Sequence, residues 1–192
     1  MTRRQVKAVS GLPRGIAPTL GAVNLYGRLV LLFLRWRGRE PLNLWDTAVT
    51  RFRVVPTDLD VLLHMNNGRY LTLMDLGRMD LMLRSGFWAT VRARGWYPVV
   101  AGQTITYRRS LGLGQRFDLH TRVLGFDDRW IFLSQTFRRG ETVVAHAVVR
   151  ARFLKESGGS VTHDELFGLV GDAPELELPA WLADWTAATK IP

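Results

Sequence analysis

A cluster of polar residues between a strand-like segment and a helix-like segment offers the clearest chemistry in this sequence. Asp58 and Asp60 lie two positions apart, and His64 and Asn66 follow closely. The Asp60 carboxylate could deprotonate a water molecule or attack a carbonyl carbon, and a nearby histidine could exchange protons with the reacting groups. Aspartate and asparagine also favour turns and helix N-caps. We favour that structural role for Asp58 and Asn67, whereas for His64 both alternatives stay open.

The helix that must position this cluster is predicted over Asn67–Arg84. Apolar residues recur there at spacings of three and four and cover nearly every face, so the helix should be surrounded by protein. Backbone N–H groups of its first turn, near Asn67 and Gly68, lack intrahelical partners and carry the positive end of the helix dipole. They could polarise a carbonyl oxygen held beside the two-aspartate loop.

Strand-like segments on both sides of this helix predict the fold class. The alternation typical of strands occurs in residues 50–55, 99–109, 115–126, 130–138 and 142–154. Four of these segments follow the helix in succession, which favours a long antiparallel sheet. The prediction is an α+β domain over residues 43–156, with the sheet wrapped around one buried central helix. Residues 157–192 should form an extension with a short helix near Trp181, Leu182 and Trp185.

The positive charge of the chain is concentrated near its N-terminus. The 192 residues carry a formal net charge of +9, and residues 1–40 contain eight basic residues against the single acid Glu40. The nearly neutral remainder argues against a nucleic-acid partner. Residues 1–42 are predicted to be a basic arm outside the fold, whose apolar segment 29–34 is too short to span a bilayer. That segment could contact an anionic membrane surface or pack against the domain.

Two absences from the sequence limit the chemistry and the location. There is no cysteine, which excludes a disulfide, a thiolate metal site and a cysteine nucleophile. Arginines and Trp36 follow the apolar segment, so there is no small-residue cleavage site after it. We therefore expect a cytoplasmic protein, with peripheral membrane contact through the arm as an open possibility.

The order of residues in this region resembles a known family. The motif D-L-D-x-x-x-H-M-N-N-x-x-Y runs from Asp58 to Tyr70, before an apolar helix and long strands. It is similar to the hotdog-fold thioesterases, which include 4-hydroxybenzoyl-CoA and plant acyl-ACP thioesterases, and most of all to the thioesterase superfamily member 6 type. The resemblance covers residues 45–155. It implies that Asp60 is the catalytic aspartate, that His64 and Asn66 assist it, and that sites form between subunits of a dimer or a tetramer of dimers.

The resemblance implies hydrolysis of an acyl-CoA or acyl-ACP thioester without a metal or other cofactor. One departure is Leu62, which stands where acyl-ACP thioesterases commonly carry asparagine. Leu62 and the basic arm favour the alternative of a non-catalytic acyl-binding or membrane-associated hotdog protein. A hotdog hydratase or dehydratase fits the motif poorly.

Further candidate residues lie outside the two-aspartate loop. Arg108 and Arg109 end a predicted strand and could hold CoA phosphates, while Asn67, Gly68 and Tyr70 complete the candidate substrate-binding set. Asp75 is a second candidate carboxylate, because some hotdog thioesterases place a helical carboxylate in the site. Arg78 lies three positions further on and could instead pair with it.

Overall fold

The computed structural model describes residues 20–170, 174 and 176–190. The first 19 residues of the predicted basic arm lie outside these described residues. The helices are α1 (Leu20–Arg35), α2 (Asn67–Arg84), α3 (Phe87–Arg92), α4 (His163–Val170) and α5 (Trp181–Ala188). The strands are β1 (Ala48–Arg53), β2 (Trp96–Tyr107), β3 (Arg116–Phe126), β4 (Ile131–Arg139) and β5 (Thr142–Lys155).

The five strands form one antiparallel sheet in the order β1-β3-β4-β5-β2. Helix α2 lies against one face of this sheet and supplies four of the fourteen described buried residues of the main hydrophobic core. The α2 side chains in that core are Tyr70, Leu73, Met74 and Leu76, and they pack on strand residues such as Leu119, Phe137, Ala147 and Val149. The predicted α+β architecture, a long sheet wrapped around one buried helix, is confirmed.

A glycine and a buried glutamine set the close contact between α2 and the sheet. A β-carbon on Gly77 would lie 2.7 Å from side-chain atoms of both Leu119 and Thr121, so only glycine fits at this approach. Beside it, the Gln135 amide donates to the Met74 carbonyl at 2.9 Å and to the Thr121 hydroxyl at 3.0 Å. These bonds fix the register of α2 over the sheet, because a buried amide group needs its partners.

Helix α1 packs against the domain, which is one of the two alternatives open for the apolar segment 29–34. Leu32 is buried, and Leu29 packs on the main core. Arg28 donates to the buried carboxylate of Asp58 at 2.7 Å, and Arg39, just after α1, pairs with Asp80 at 2.5 Å. A buried carboxylate needs a paired charge, so this part of the arm completes the fold electrostatically. No helix within the described residues is both long and apolar enough to cross a membrane.

Helices α3, α4 and α5 close the two faces of the sheet, and α3 and α4 were not predicted. Leu166 of α4 packs at the end of the α2 face against Phe87 of α3 and Phe153. Leu182 of α5 instead contacts Phe132 and Val148. These two strand residues alternate with the α2-facing positions, so α5 covers the opposite face of the sheet.

The two edge strands of the sheet differ in whether their outward backbone groups have hydrogen-bond partners. At β1, the guanidinium groups of Arg28 and Arg39 donate to the outward carbonyls of Arg53 at 3.1 Å and Val49 at 2.6 Å. The β2 edge has no neighbouring strand among the described residues, and Tyr97 on it is exposed. An open strand of this length is a template for pairing with another chain.

Candidate active site

The loop between β1 and α2 is fastened to the fold through Asp58. This residue ends a 3-10 turn, Pro56–Asp58, and is only 1% exposed. Its carboxylate accepts hydrogen bonds from the Arg28 guanidinium at 2.7 Å and from the Val55 N–H at 3.0 Å. Its carbonyl accepts from the Asn66 N–H at 2.8 Å, which ties the two ends of the loop together. Asp58 therefore has the structural role that its sequence position favours.

Asp60 lies in the tight turn that follows, with one carboxylate oxygen engaged. Its Oδ1 accepts from the N–H groups of Leu62 at 2.9 Å and His64 at 3.2 Å. Its own N–H donates to the His64 carbonyl at 2.8 Å. Leu63 adopts the left-handed conformation, with φ 58°, which is uncommon for leucine. Among the described residues nothing donates to Oδ2 of Asp60, so the turn holds the carboxylate in place and leaves one oxygen available.

Of the two backbone N–H groups predicted as donors at the N-terminus of α2, those of Asn67 and Gly68, only one is available. Asn66 is the N-cap, and its Oδ1 accepts from the Gly68 N–H at 2.8 Å. The Gly68 N–H is therefore already occupied. The Asn67 N–H has no partner among the described residues. An unpaired N–H in the first helical turn is suited to bind a developing oxyanion.

A cavity of about 320 Å³ opens beside Asp60 at this helix terminus. It is lined by Asp60, His64, Met65, Asn67, Tyr70, Tyr107, Arg108, Arg109 and Ser110. The structure thus brings together six predicted site residues from the loop, the first turn of α2 and the end of β2. Asn66 and Gly68 lie beside this cavity in the cap of α2, outside its lining.

Two tyrosines form the wall of this cavity. Tyr70 is buried, and burial together with the neighbouring Tyr107 raises its pKa to about 12. The two rings meet edge to face with centroids 5.0 Å apart. Burial also raises the pKa of Tyr107, whose hydroxyl donates to the Asn67 carbonyl at 3.4 Å. Both phenols stay protonated near neutral pH and can donate hydrogen bonds. Tyr107 was missed as a site residue; its place directly before Arg108 was the available signal.

Asp75 lies outside this cavity. It is eight residues beyond Asn67, or roughly 12 Å further along α2 at the helical rise of 1.5 Å. Its side chain is 66% exposed and forms an ion pair with Arg78. Burial lowers the pKa of Arg78, and the nearby Asp75 opposes that shift. The pairing alternative considered for Asp75 is the arrangement found.

Asp75 and Arg78 line a second cavity, of about 200 Å³, with mainly apolar walls. It lies between the second half of α2, the sheet and α4. Its apolar lining includes Met79, Met82, Phe87, Val100, Val123, Ala151, Phe153 and Leu166. A cavity of this chemistry suits a hydrocarbon group. Within the described ranges, no group of three or more His, Asp or Glu side chains could hold a metal ion.

The chain belongs to the thioesterase-like superfamily, whose sequence profile matches residues 54–186. Its architecture is the hotdog fold that the motif at Asp58 to Tyr70 predicted. Among solved structures it is similar to the probable thioesterase YbaW from Escherichia coli, with TM-score 0.59 and 23% identity, covering 65% of this chain and 99% of that one. It is also similar to the DHNA-CoA thioesterase from Staphylococcus aureus, with TM-score 0.57 and 14% identity, covering 74% and 90%.

Within the superfamily the chain is similar to proteins called THEM6. Protein THEM6 of Drosophila melanogaster is 31% identical over 151 residues, which cover 76% of this chain and 75% of that protein. Protein THEM6 of Xenopus laevis is 41% identical over 99 residues, which cover 52% of this chain and 48% of that protein. The chain therefore spans about half the length of the Xenopus protein. These similarities confirm the predicted relationship to the thioesterase superfamily member 6 type.

Proposed function

We propose that this protein hydrolyses a fatty-acyl or related thioester carried on coenzyme A or on acyl carrier protein. The observation that carries the proposal is the cavity at the start of α2. There the unengaged Oδ2 of Asp60, the unpaired N–H of Asn67 and the phenol of Tyr107 converge on one space. These are a base or nucleophile, an oxyanion donor and a positioning hydroxyl, the set that acyl transfer requires.

The chemistry follows from these roles. As a general base, Asp60 takes a proton from water, and the resulting hydroxide adds to the thioester carbonyl carbon. The oxygen that gains negative charge is stabilised by the Asn67 N–H. Collapse breaks the carbon–sulfur bond, and His64, when protonated, supplies a proton to the leaving thiolate. Direct attack by Asp60, giving a mixed anhydride that water then hydrolyses, uses the same positions.

Two arginines beside the cavity could bind the phosphate groups of coenzyme A or of acyl carrier protein. Arg108 and Arg109 are exposed at the end of β2, where their backbone N–H groups bond the Val144 carbonyl. Both arginines line the cavity. Phosphate groups occur on coenzyme A and on the prosthetic arm of acyl carrier protein, and guanidinium groups bind them well. A carrier lying across these arginines would present its thioester to Asp60.

The second, apolar cavity is assigned to the acyl chain. It lies further along α2 and is lined by Val123 and Ala151 from the sheet and Leu166 from α4. Its mainly hydrocarbon surface favours an alkyl or aromatic acyl group over a polar one. Among the described residues, the only polar ones in its lining are Asp75 and Arg78. They pair with each other, and Arg78 also donates to the Gln135 side chain, so neither needs a ligand as a partner.

Changing the size of this cavity should change the preferred chain length. Ala151→Leu adds three carbons to its wall, and each methylene excluded from an apolar site costs about 0.8 kcal/mol. We expect kcat/KM for long acyl chains to fall at least about tenfold, while that for short chains changes little. Val123→Ala should shift the preference in the opposite direction. Parallel losses on all chain lengths would place the acyl group elsewhere.

The proposed enzyme is a homodimer formed through the open edge of β2. An antiparallel pair of two β2 strands would bring the Tyr107 end of one strand to the beginning of its partner's strand. The beginning of β2 contributes Pro98, Val99 and Val100 to the apolar cavity. Each polar cavity would then lie next to the apolar cavity of the partner subunit.

Sedimentation equilibrium of the full chain should therefore give about twice the chain mass of 21.8 kDa. Tyr97→Lys places a charge on the open strand and should weaken the dimer, since edge charges oppose pairing. Leu113→Lys, at an exposed leucine outside β2, is the matched control. A monomer at micromolar concentration, or equal behaviour of both variants, would count against the edge-paired dimer.

A second candidate function is acyl binding without turnover. The observation that favours it is Leu62, which is exposed in the turn beside Asp60 and offers no polar group there. Thiol release from acyl-CoAs of graded chain length separates the two functions. Release of free thiol supports hydrolysis, and tight binding without release supports the binding function.

A further inference from the structure

Exposed large apolar side chains concentrate in two segments near the N-terminal side of the domain. One is a stripe on α1, formed by Tyr26, Val30, Phe33 and Leu34 at spacings of three and four; we call it the helix face. The other is the tip of the Asp60 turn, formed by Val61, Leu62 and Leu63; we call it the loop tip. Val61 is 96% exposed, and Leu62 and Leu63 are each 71% exposed. Contiguous exposed apolar surface of this kind marks an interaction site.

One ion pair joins the two segments. Arg28 lies on α1 between Tyr26 and Val30, and it donates to Asp58 at 2.7 Å. Val61 is three residues beyond Asp58, and three residues of chain span at most roughly 10 Å. The opposite side of α1 faces the protein through Leu32. The helix face and the loop tip therefore flank the Arg28–Asp58 pair at the same end of the molecule.

The loop tip is held outward by the structure of the turn. Hydrogen bonds from the N–H groups of Leu62 and His64 to Asp60, and the left-handed backbone of Leu63, fix its conformation. In this conformation all three side chains are exposed. A fixed apolar tip of three residues gains free energy only when something outside the protomer covers it.

We propose that the helix face and the loop tip together dock on an anionic lipid bilayer surface. The charge of the neighbouring sequence selects this occupant, because residues 1–40 contain eight basic residues and one acid. Within the described part of the chain, only two of the eight are paired with buried aspartates, Arg28 with Asp58 and Arg39 with Asp80. An apolar helix stripe beside a basic segment is the combination that binds the headgroup region of anionic membranes. This inference rests on exposure and charge and does not depend on thioester hydrolysis.

Docking at the loop tip would bring the candidate active site to the membrane. Asp60 and His64 are the residues that flank the tip, and both line the polar cavity. The mouth of that cavity would then open at the level of the lipid headgroups. An amphiphilic substrate could reach it without passing through bulk water.

Sedimentation of the full chain with vesicles tests this proposal. The vesicles contain phosphatidylcholine with phosphatidylglycerol, and vesicles of phosphatidylcholine alone serve as the charge control. The loop-tip variant is Val61→Gln with Leu62→Gln and Leu63→Asn, because asparagine tolerates the left-handed backbone at position 63. The helix-face variant is Val30→Gln with Leu34→Gln. Trp181→Gln, at an exposed tryptophan of α5 on the opposite face of the sheet, is the matched control.

We expect each variant to partition at least about tenfold more weakly onto anionic vesicles, since each removes two or more apolar side chains from the contact. The control variant should bind like the wild type, and neutral vesicles should bind the wild type poorly. Leu62→Gln alone should show a smaller loss in the same direction, which guards against an effect of misfolding. If the loop-tip variant bound anionic vesicles as strongly as the wild type does, the proposed two-part docking surface would be wrong. A lower mass of that variant in sedimentation without lipid would also overturn it, because the tip would then contact a second copy.

Discussion

Asp60→Asn is expected to lower thioester hydrolysis by at least ~10²-fold, the lower range for loss of a positioned base, with little change in stability. The reason is that the two carboxylate oxygens have different roles, one in the turn and one in the proposed chemistry. Oδ1 accepts from Leu62 and His64, and the asparagine oxygen can keep both bonds. Oδ2 becomes an NH₂ group, which can neither take a proton nor attack a carbonyl. Initial rates of thiol release and a thermal unfolding curve measure the two effects separately.

Asp75→Asn is the matched control for this substitution. It makes the same chemical change on α2, roughly two turns away from the polar cavity. Its carboxylate is exposed and paired with Arg78, so activity should be nearly unchanged. If Asp75→Asn lost activity and Asp60→Asn kept it, with both proteins folded, the site would have to be reassigned to the apolar cavity.

Asp80→Ala is expected to destabilise the protein by about 3–5 kcal/mol, the usual cost of removing one partner of a buried ion pair. The carboxylate of Asp80 is fully buried and accepts from Arg39 at 2.5 Å and from the Thr50 hydroxyl at 2.8 Å. A guanidinium nitrogen of Arg84 lies 3.7 Å away. Alanine would leave two cations and a buried hydroxyl without their acceptor. Denaturant unfolding at a fixed protein concentration measures the free-energy difference.

Asp75→Ala provides the comparison within the same helix. Both aspartates lie on α2 and pair with arginine, but Asp75 is exposed. An exposed ion pair contributes at most about 1 kcal/mol. Equal destabilisation by Asp75→Ala and Asp80→Ala would show that burial of Asp80 and its link to the arm do not contribute to stability.

The central architecture was predictable because local patterns determine it. The apolar spacing of α2 predicted its bounds, Asn67–Arg84, as found. Strict alternation in β5 predicted a strand over residues 142–154, which ends one residue before the observed Thr142–Lys155. Period and alternation are properties of neighbouring residues, so the sequence displays them directly.

The missed features depend on contacts between distant parts of the chain. The sequence singles out Asp75 as the candidate carboxylate of α2, whereas Asp80 is the buried one, paired with Arg39 from 41 residues away. Tyr107 meets Tyr70 only through the pairing of β2 with the sheet. Membrane contact and packing on the domain both stayed open for the arm, because no local pattern shows that Arg28 reaches Asp58. Long-range ion pairs and strand register are products of the fold.

Release of free thiol from a fatty-acyl-CoA by the wild-type protein is the most direct test of the proposed function. The chain contains no cysteine, so a thiol reagent detects product without background from the protein. The proposed function predicts continuous multiple-turnover release that depends on chain length and is at least ~10²-fold slower with Asp60→Asn. No release from acyl-CoA or acyl-ACP of any chain length, by protein shown to be folded and to bind the thioester, would contradict it.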